Sequence, residues 1–227
     1  MTTLVVLQPS YLPWLGYFDQ MQKADIFVWY DDVQFDKNGW RNRNRVKSPK
    51  GAQWLTVPVL QSGRAEQPIN EVEIDNRQPW RRKQLSSIEQ WYARAPFTAD
   101  MIPRLRQIIE RPWERLVDLD VAVIDWMAGE LGISTPRHRS SALGIGGDRH
   151  SRLIKLCRHF GATRYLSGDA ARDYLDVPLF EQSGISVQWH GYRHPQYPQL
   201  HGQFLPQLSA LDLLLNVGPG SLAVLAQ

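Results

Sequence analysis

Three stretches of this chain hold side chains whose types and spacing could do chemistry. The first is VLQPSYLPWLGYF (6–18), where Gln8, Tyr11 and Trp14 stand among Pro9 and Pro13. An amide at the end of an apolar run can donate to a developing oxyanion. Two prolines stiffen the residues beyond it, so one loop conformation is held at low entropic cost. Tyr11 and Trp14 would form the rim, although a tryptophan here also reads as core. The second stretch is DDVQFDK (31–37), with Asp31, Asp32, Asp36, Gln34 and Lys37. Its carboxylates suit a general base or an oxygen-ligated Mg²⁺. The D-D-x-x-x-D spacing is too common to indicate a metal, and no metal site is expected; Asp31 is expected to point inward. The third is WRNRNR (40–45). At strand spacing Arg41, Arg43 and Arg45 share one face, with Asn42 and Asn44 on the other. Guanidinium forks clamp carboxylate or phosphate, while a charged edge strand that blocks aggregation would look the same.

One further candidate is His194, in YRHPQYPQ, a proline-rich loop after the last expected strand. It is the best-placed general base among the histidines. The other five histidines lack metal-ligand spacing and read as structural or exposed. Cys157 lies between apolar neighbours without an activating partner, so a buried inert thiol is expected. LGIGG (143–147) precedes a helix, but Asp148 at the cap argues against an anion there. The P-loop, G-x-G-x-x-G, G-x-S-x-G and H-E-x-x-H patterns do not occur.

The elements that must position these groups are set by periodicity. TLVVLQ (3–8) and DIFVWYDD (25–32) predict strands, with a helix over WLGYFDQMQKA (14–24) between them. That β-loop-α-β opening favours a parallel pair with a right-handed crossover. Gln8 and Asp31 would then leave neighbouring strand ends, where ligands bind in open parallel sheets. GWRNRNRVKS (39–48) and QWLTVPVL (53–60) predict a hairpin turning at Lys50-Gly51, and INEVEID (69–75) another strand. Helices are expected over 78–95, 97–110, 112–132, 146–162, 174–184 and 208–218, with short strands at TRYLSG and ISVQWHGY. The predicted fold is α/β, a mixed sheet with a helical middle, forming one compact domain over 1–227. One pocket lined by Gln8, Tyr11, Asp31, Asn42 and Arg43 is expected.

Composition narrows the class. The chain has 227 residues, 43% hydrophobic and 22% charged, with one cysteine and a net charge of +3. An intrachain disulfide is excluded. The apolar run at the start is too short for a signal peptide, and no stretch approaches a membrane span, so a cytoplasmic protein is expected. Twenty of the 26 basic residues are arginine, dispersed rather than clustered, which suits a small anionic ligand better than nucleic acid.

Several stretches resemble a known family, the WbqC-like proteins: LQPSYLPWLGYFDQMQKADIFVWYDDVQFDKNGWRNRNRVK, WLTVPV, LCRHFGATRYLSGDAARDYL and YRHPQYPQLHGQFLPQLSALDLLLNVG. They run nearly the whole chain in order; Gly39 departs from the bulkier or hydroxylated residue expected there. The resemblance implies a role in bacterial O-antigen, other surface-glycan or natural-product biosynthesis. It also implies transfer of an acyl or aminoacyl group onto an amine of a nucleotide-linked sugar. The family's motif residues fall in the first block and in RHPQY, which brings Tyr197 beside His194. Such a transfer needs no tightly bound cofactor, only coenzyme A or another thioester donor as co-substrate. His194 or Asp31 would be the base, Gln8 and Asn42 the oxyanion donors, and Arg41 and Arg43 the phosphate holders. The alternatives are nucleotidyl transfer or adenylate formation, lowered by the missing H-x-G-H loop, and a non-catalytic ligand-binding protein.

Overall fold

The computed structural model describes residues 1–37, 39–64 and 66–227. Two sheets carry the strands. The larger is five-stranded and parallel, in the order β5-β2-β1-β6-β7, with β1 Thr3–Leu7, β2 Ile26–Trp29, β5 Arg137–Arg139, β6 Arg164–Ser167 and β7 Ser186–Trp189. The other is an antiparallel hairpin of β3 Arg43–Ser48 and β4 Gly51–Thr56. The mixed sheet expected from sequence is therefore divided between two bodies.

After Thr3, β1 is apolar at every position, from Leu4 to Leu7, because both its faces are covered. Val5, with Phe27 and Trp29 of β2, packs under α1 (Leu15–Lys23) and the helical middle: α2 (Trp80–Trp91), α3 (Thr98–Ile109) and α4 (Leu116–Glu130), with α7 (Ala210–Val217). Leu4, Val6 and Val28 face the opposite way, onto α5 (Arg149–His159) and α6 (Val177–Gln182). A short α8 (Ser221–Leu225) closes the chain. Asp148 caps α5 as read from sequence, accepting from the amides of His150 and Ser151. Among the described residues no helix is long and apolar enough to cross a membrane.

In chain order the strands lie third, second, first, fourth, fifth. The connection therefore reverses direction between β1 and β6, and the crevice beyond their carboxyl ends is where open α/β sheets bind ligands. Three expectations need correction. INEVEID forms a single 3-10 turn at Ile69–Glu71 and isolated bridges. Its apolar residues Ile69, Val72 and Ile74 are buried, but the amide of Ile74 bonds Glu114 and the carbonyl of Val72 bonds Leu116, rather than a strand partner. β5, the sequence Arg-His-Arg, carries no apolar signal and lies outside the expected strands. The hairpin turns at Pro49-Lys50, since Ser48 pairs with Gly51.

Candidate functional site

A cleft of about 320 Å³ opens where the sheet reverses. Gln8 comes from the end of β1. The loop beyond supplies Ser10, Pro13 and Trp14, α1 supplies Tyr17 and Gln20, and the hairpin approach supplies Trp40, Arg41 and Asn44. Tyr17 and Gln20 stand three residues apart in one row on α1, and Trp14 caps the helix in extended backbone just before it. Trp14 also meets Tyr192 edge-on at 5.0 Å. The Trp14 ring lies back over the helix start, and a Cβ on Gly16 would stand 2.3 Å from it.

The loop from 8 to 14 is held by distant chain. The Tyr11 amide donates to the Arg41 carbonyl at 2.9 Å, and the Ala210 amide to the Pro13 carbonyl at 2.8 Å. Leu12 is fully buried with φ of +46°, a left-handed backbone that costs a branched residue on the order of 1–3 kcal/mol. Asn44 offsets that cost by donating its amide to the Leu12 carbonyl at 2.8 Å.

Arg41 gives the cleft its electrostatic character. Its Nε is buried without a hydrogen-bond partner among the described residues. Burial pulls the guanidinium below its ordinary pKa, while Tyr17, Asp120 and Asp36 pull the other way. Asp120, on α4, is fully buried and neither of its carboxylate oxygens is hydrogen-bonded. Burial holds its carboxyl well above the ordinary range, with Arg41 the opposing charge. The Tyr17 hydroxyl and the Gln20 Oε1 are likewise buried and unpartnered. Unmet buried polar groups cost about 1–3 kcal/mol each. A cluster of them beside a cleft marks a place suited to polar ligand atoms.

Of the sequence candidates, Gln8, Trp14, Arg41 and Asn44 line this cleft. The others are placed elsewhere. Tyr11 is fully buried; its hydroxyl donates to Gln84 at 2.8 Å, joining the loop to α2. Asn42 donates its side-chain amide to the Val57 carbonyl at 2.8 Å and lies outside the cleft lining. Arg43 lies over the Trp54 ring at 4.5 Å and donates to the Gly39 carbonyl. Gln34 and Lys37 line another, wider depression with Arg64 and Glu66.

Asp31, expected inward as a base, is fully buried. Its Oδ1 accepts from the Ser140 hydroxyl at 3.1 Å and the Ser141 amide at 3.0 Å, and its Oδ2 from the Ser141 hydroxyl at 2.8 Å. Those bonds tie β2 to the end of β5 and leave it no exposed oxygen. Asp32 bonds Ser140 and pairs with Arg152. No group of three or more His, Cys, Asp or Glu is arranged for a metal among the described residues.

His194 lies outside the cleft lining, against Tyr192, Tyr197 and Phe204. Its Nδ1 is 2.9 Å from the Pro195 carbonyl and its Nε2 is buried without a partner. Burial lowers its pKa, against smaller upward pulls from the Pro195 carbonyl and then Asp212. Tyr197 donates to Asp212 at 2.9 Å and Tyr92 donates to the same carboxylate at 2.6 Å, a buried structural network. Cys157 is buried, and burial pushes its thiol up to about 12.

Sequence reasoning missed Tyr17, Gln20, Trp40 and Asp120. A polar Gln20 within the otherwise aromatic row of α1 was a legible signal. Asp120, in the apolar run LVDLDVAV, was another. A further pair not foreseen is His190, just beyond β7, bonded through Nε2 to Asp19 of α1, which Lys23 also contacts. His190 stacks on Tyr192 at 5.2 Å.

The chain is 39% identical over 220 residues to the uncharacterized protein Rv1507c of Mycobacterium tuberculosis (strain ATCC 25618 / H37Rv), covering 96% of this chain and 95% of that protein. No solved structure matches it. The WbqC-like protein family matches residues 8–224, and the chain belongs to that family.

Proposed function

We propose that this protein is a transferase that holds an anionic, nucleotide-linked amino sugar in the cleft and passes an acyl or aminoacyl group from a thioester to its amine. The observation that carries the reading is Arg41, a guanidinium lining the cleft whose Nε has no hydrogen-bond partner among the described residues. An anion there receives a charge-assisted fork. The buried thiol of Cys157, pushed up to about 12, suits direct attack by the amine rather than a covalent enzyme intermediate.

In that reaction the amine nitrogen forms the new C–N bond, the C–S bond breaks, and the amine's proton goes to the departing thiolate. The side chains lining the cleft include no Asp, Glu or His among the described residues. The proton therefore moves between substrates, and turnover should rise with pH as the amine loses its proton. In this reading Gln8, an amide lining the cleft at the end of β1, donates to the tetrahedral oxyanion. Without a base to lower the barrier, catalysis comes from positioning and oxyanion donors. The same lack of an ionisable base favours a second reading, a non-catalytic protein that binds the anion alone.

Thermal shift with a nucleoside diphosphate sugar, coenzyme A and ATP tests the binding, because a ligand of the folded state stabilises it by mass action. Arg41→Ala should lose about 10- to 150-fold in affinity, the equivalent of about 1.5–3 kcal/mol for a charged hydrogen bond. Arg41→Lys should lose much of the same, since lysine lacks the planar fork. Folded variants that bind every probe as well as the wild type would refute the reading. Release of free thiol with formation of an N-acyl sugar separates the transferase from the binding protein.

A further inference from the structure

Trp40 and Trp54 are two of five exposed large hydrophobic side chains among the described residues, 43% and 46% exposed, and they touch each other. Their rings lie 5.3 Å apart and tilted by 39°. Two arginines flank them. Arg43 is 4.5 Å from the Trp54 ring, and Arg45 is 5.6 Å from Trp40 and 5.7 Å from Trp54. Strand pairing explains the grouping, since Arg45 stands opposite Trp54 across the hairpin. Scattered exposed hydrophobics need no explanation, but two indoles in contact with each other, one of them lining a cleft, do. Trp40 also lines the cleft beside Arg41. The Nε atoms of both Arg41 and Arg45 are buried without hydrogen-bond partners among the described residues.

We infer that this platform binds the nucleotide of the substrate: the base stacks on the Trp40–Trp54 pair, the diphosphate lies between Arg45 and Arg41, and the attached sugar enters the cleft toward Gln8 and Gln20. The inference rests on the transferase reading, and it names the part of the substrate that reading leaves open. Indole faces stack on any base, and nearby guanidinium groups neutralise phosphates. Two rings are far too small a surface for a stable protein interface of about 1,000 Å² or more. A single-stranded nucleic acid would use the same chemistry, but it would need a basic track along several nucleotides. This platform is one step long and ends at the cleft.

Isothermal titration of the full chain with UDP, ADP, GDP, CDP and inorganic pyrophosphate tests the assignment. At least one nucleoside diphosphate should bind more tightly than pyrophosphate. Trp40→Ala should weaken that nucleotide about 5- to 150-fold and leave pyrophosphate unchanged, with Trp40→Phe restoring most of the loss. Trp54→Ala should weaken it less. Circular dichroism identifies any variant that fails to fold, in which case the Phe variant and Trp54→Ala carry the test. Unchanged nucleotide affinity in folded Trp40→Ala and Trp54→Ala overturns the platform; if Arg41→Ala still loses pyrophosphate, the transferase reading stands without it. If no nucleoside diphosphate binds, the platform falls whatever Arg41 does. Tighter binding of a thymidine decamer than of any mononucleotide, lost in Trp54→Ala, overturns it in favour of nucleic acid.

Discussion

At the scale of single residues, Asp120 and Arg41 make a linkage that can be measured. An anion arriving at Arg41 draws on the guanidinium that opposes Asp120's burial, and its own charge repels the carboxylate. Both effects push the already raised carboxyl higher, so binding should take up a proton. Affinity for pyrophosphate should fall as pH rises through the titration of Asp120, and Asp120→Asn should flatten that profile. Calorimetry in buffers of different ionisation enthalpy reads the proton directly; uptake no different from Asp120→Asn would refute the linkage. Stability has the same sign. An acid whose folded pKa lies above its unfolded value, about 3.9 for Asp, is least costly below that value. Its contribution is lost as pH rises through the folded pKa. Relative to wild type, Asp120→Asn should therefore gain stability as pH increases, read by urea denaturation at pH 5 and pH 8. Which residues faced a site was partly legible in sequence. The alternation of WRNRNR separates Arg41 from Asn42, but periodicity says which face a side chain takes and not what covers it. Asn42 is claimed by Val57, Tyr11 by Gln84 and Asp31 by Ser140 and Ser141. None of those partners is near in sequence.

At the scale of elements, the loop between β1 and α1 depends on Asn44 and Gly16. Asn44→Ala leaves the Leu12 carbonyl buried without its donor, and should cost about 1–3 kcal/mol. It should also loosen the left-handed turn, weakening ligand binding beyond the stability loss; chemical denaturation and calorimetry on the same variant separate the two. Gly16→Ala places a methyl where the Trp14 ring lies, so the ring must leave its place in the cleft. The expected result is weaker binding with helix content unchanged by circular dichroism; unaltered affinity would show that the ring's position does not matter. Strong periodicity and clear caps made β1, β2, α1, α5 and α7 readable to within a few residues. The strand expected at 69–75 failed because its alternation reflects burial of Ile69, Val72 and Ile74, while its amides bond to loops. β5 was hidden because an edge strand of three residues needs only backbone pairing to β2, and its side chains report nothing of that.

At the scale of the molecule, two hydrophobic clusters meet at the parallel sheet, and the cysteine belongs to the one opposite the cleft. Cys157 is packed with Leu153, Leu156 and Tyr165 of that cluster, whereas Tyr17 and Trp14 belong to the other side. Cys157→Ala should therefore keep full activity and lose only modest stability from a small packing defect. A covalent adduct on Cys157 trapped by mass spectrometry during turnover would overturn that expectation and the direct-attack mechanism with it. The α/β class was readable because apolar runs alternate with helical periods from the first residues. The reversal of strand order, which decides where the cleft lies, was not, since it depends on β6 choosing the free edge of β1.

That choice has a consequence for the chain as it leaves the ribosome. β1 is made first and can pair with β2 almost at once, but its other edge must wait for β6 at Arg164–Ser167. The loop that frames the cleft waits longer, for Ser209 and Ala210 to reach Arg45 and Pro13. Through most of translation the nascent protein therefore carries an apolar strand with one unsatisfied side, the kind of edge that invites wrong pairing. Ribosome-bound chains stalled before residue 164 should bind hydrophobic-recognising chaperones more strongly than chains extended past residue 227 by a linker long enough to clear the exit tunnel, and only the latter should bind ligand.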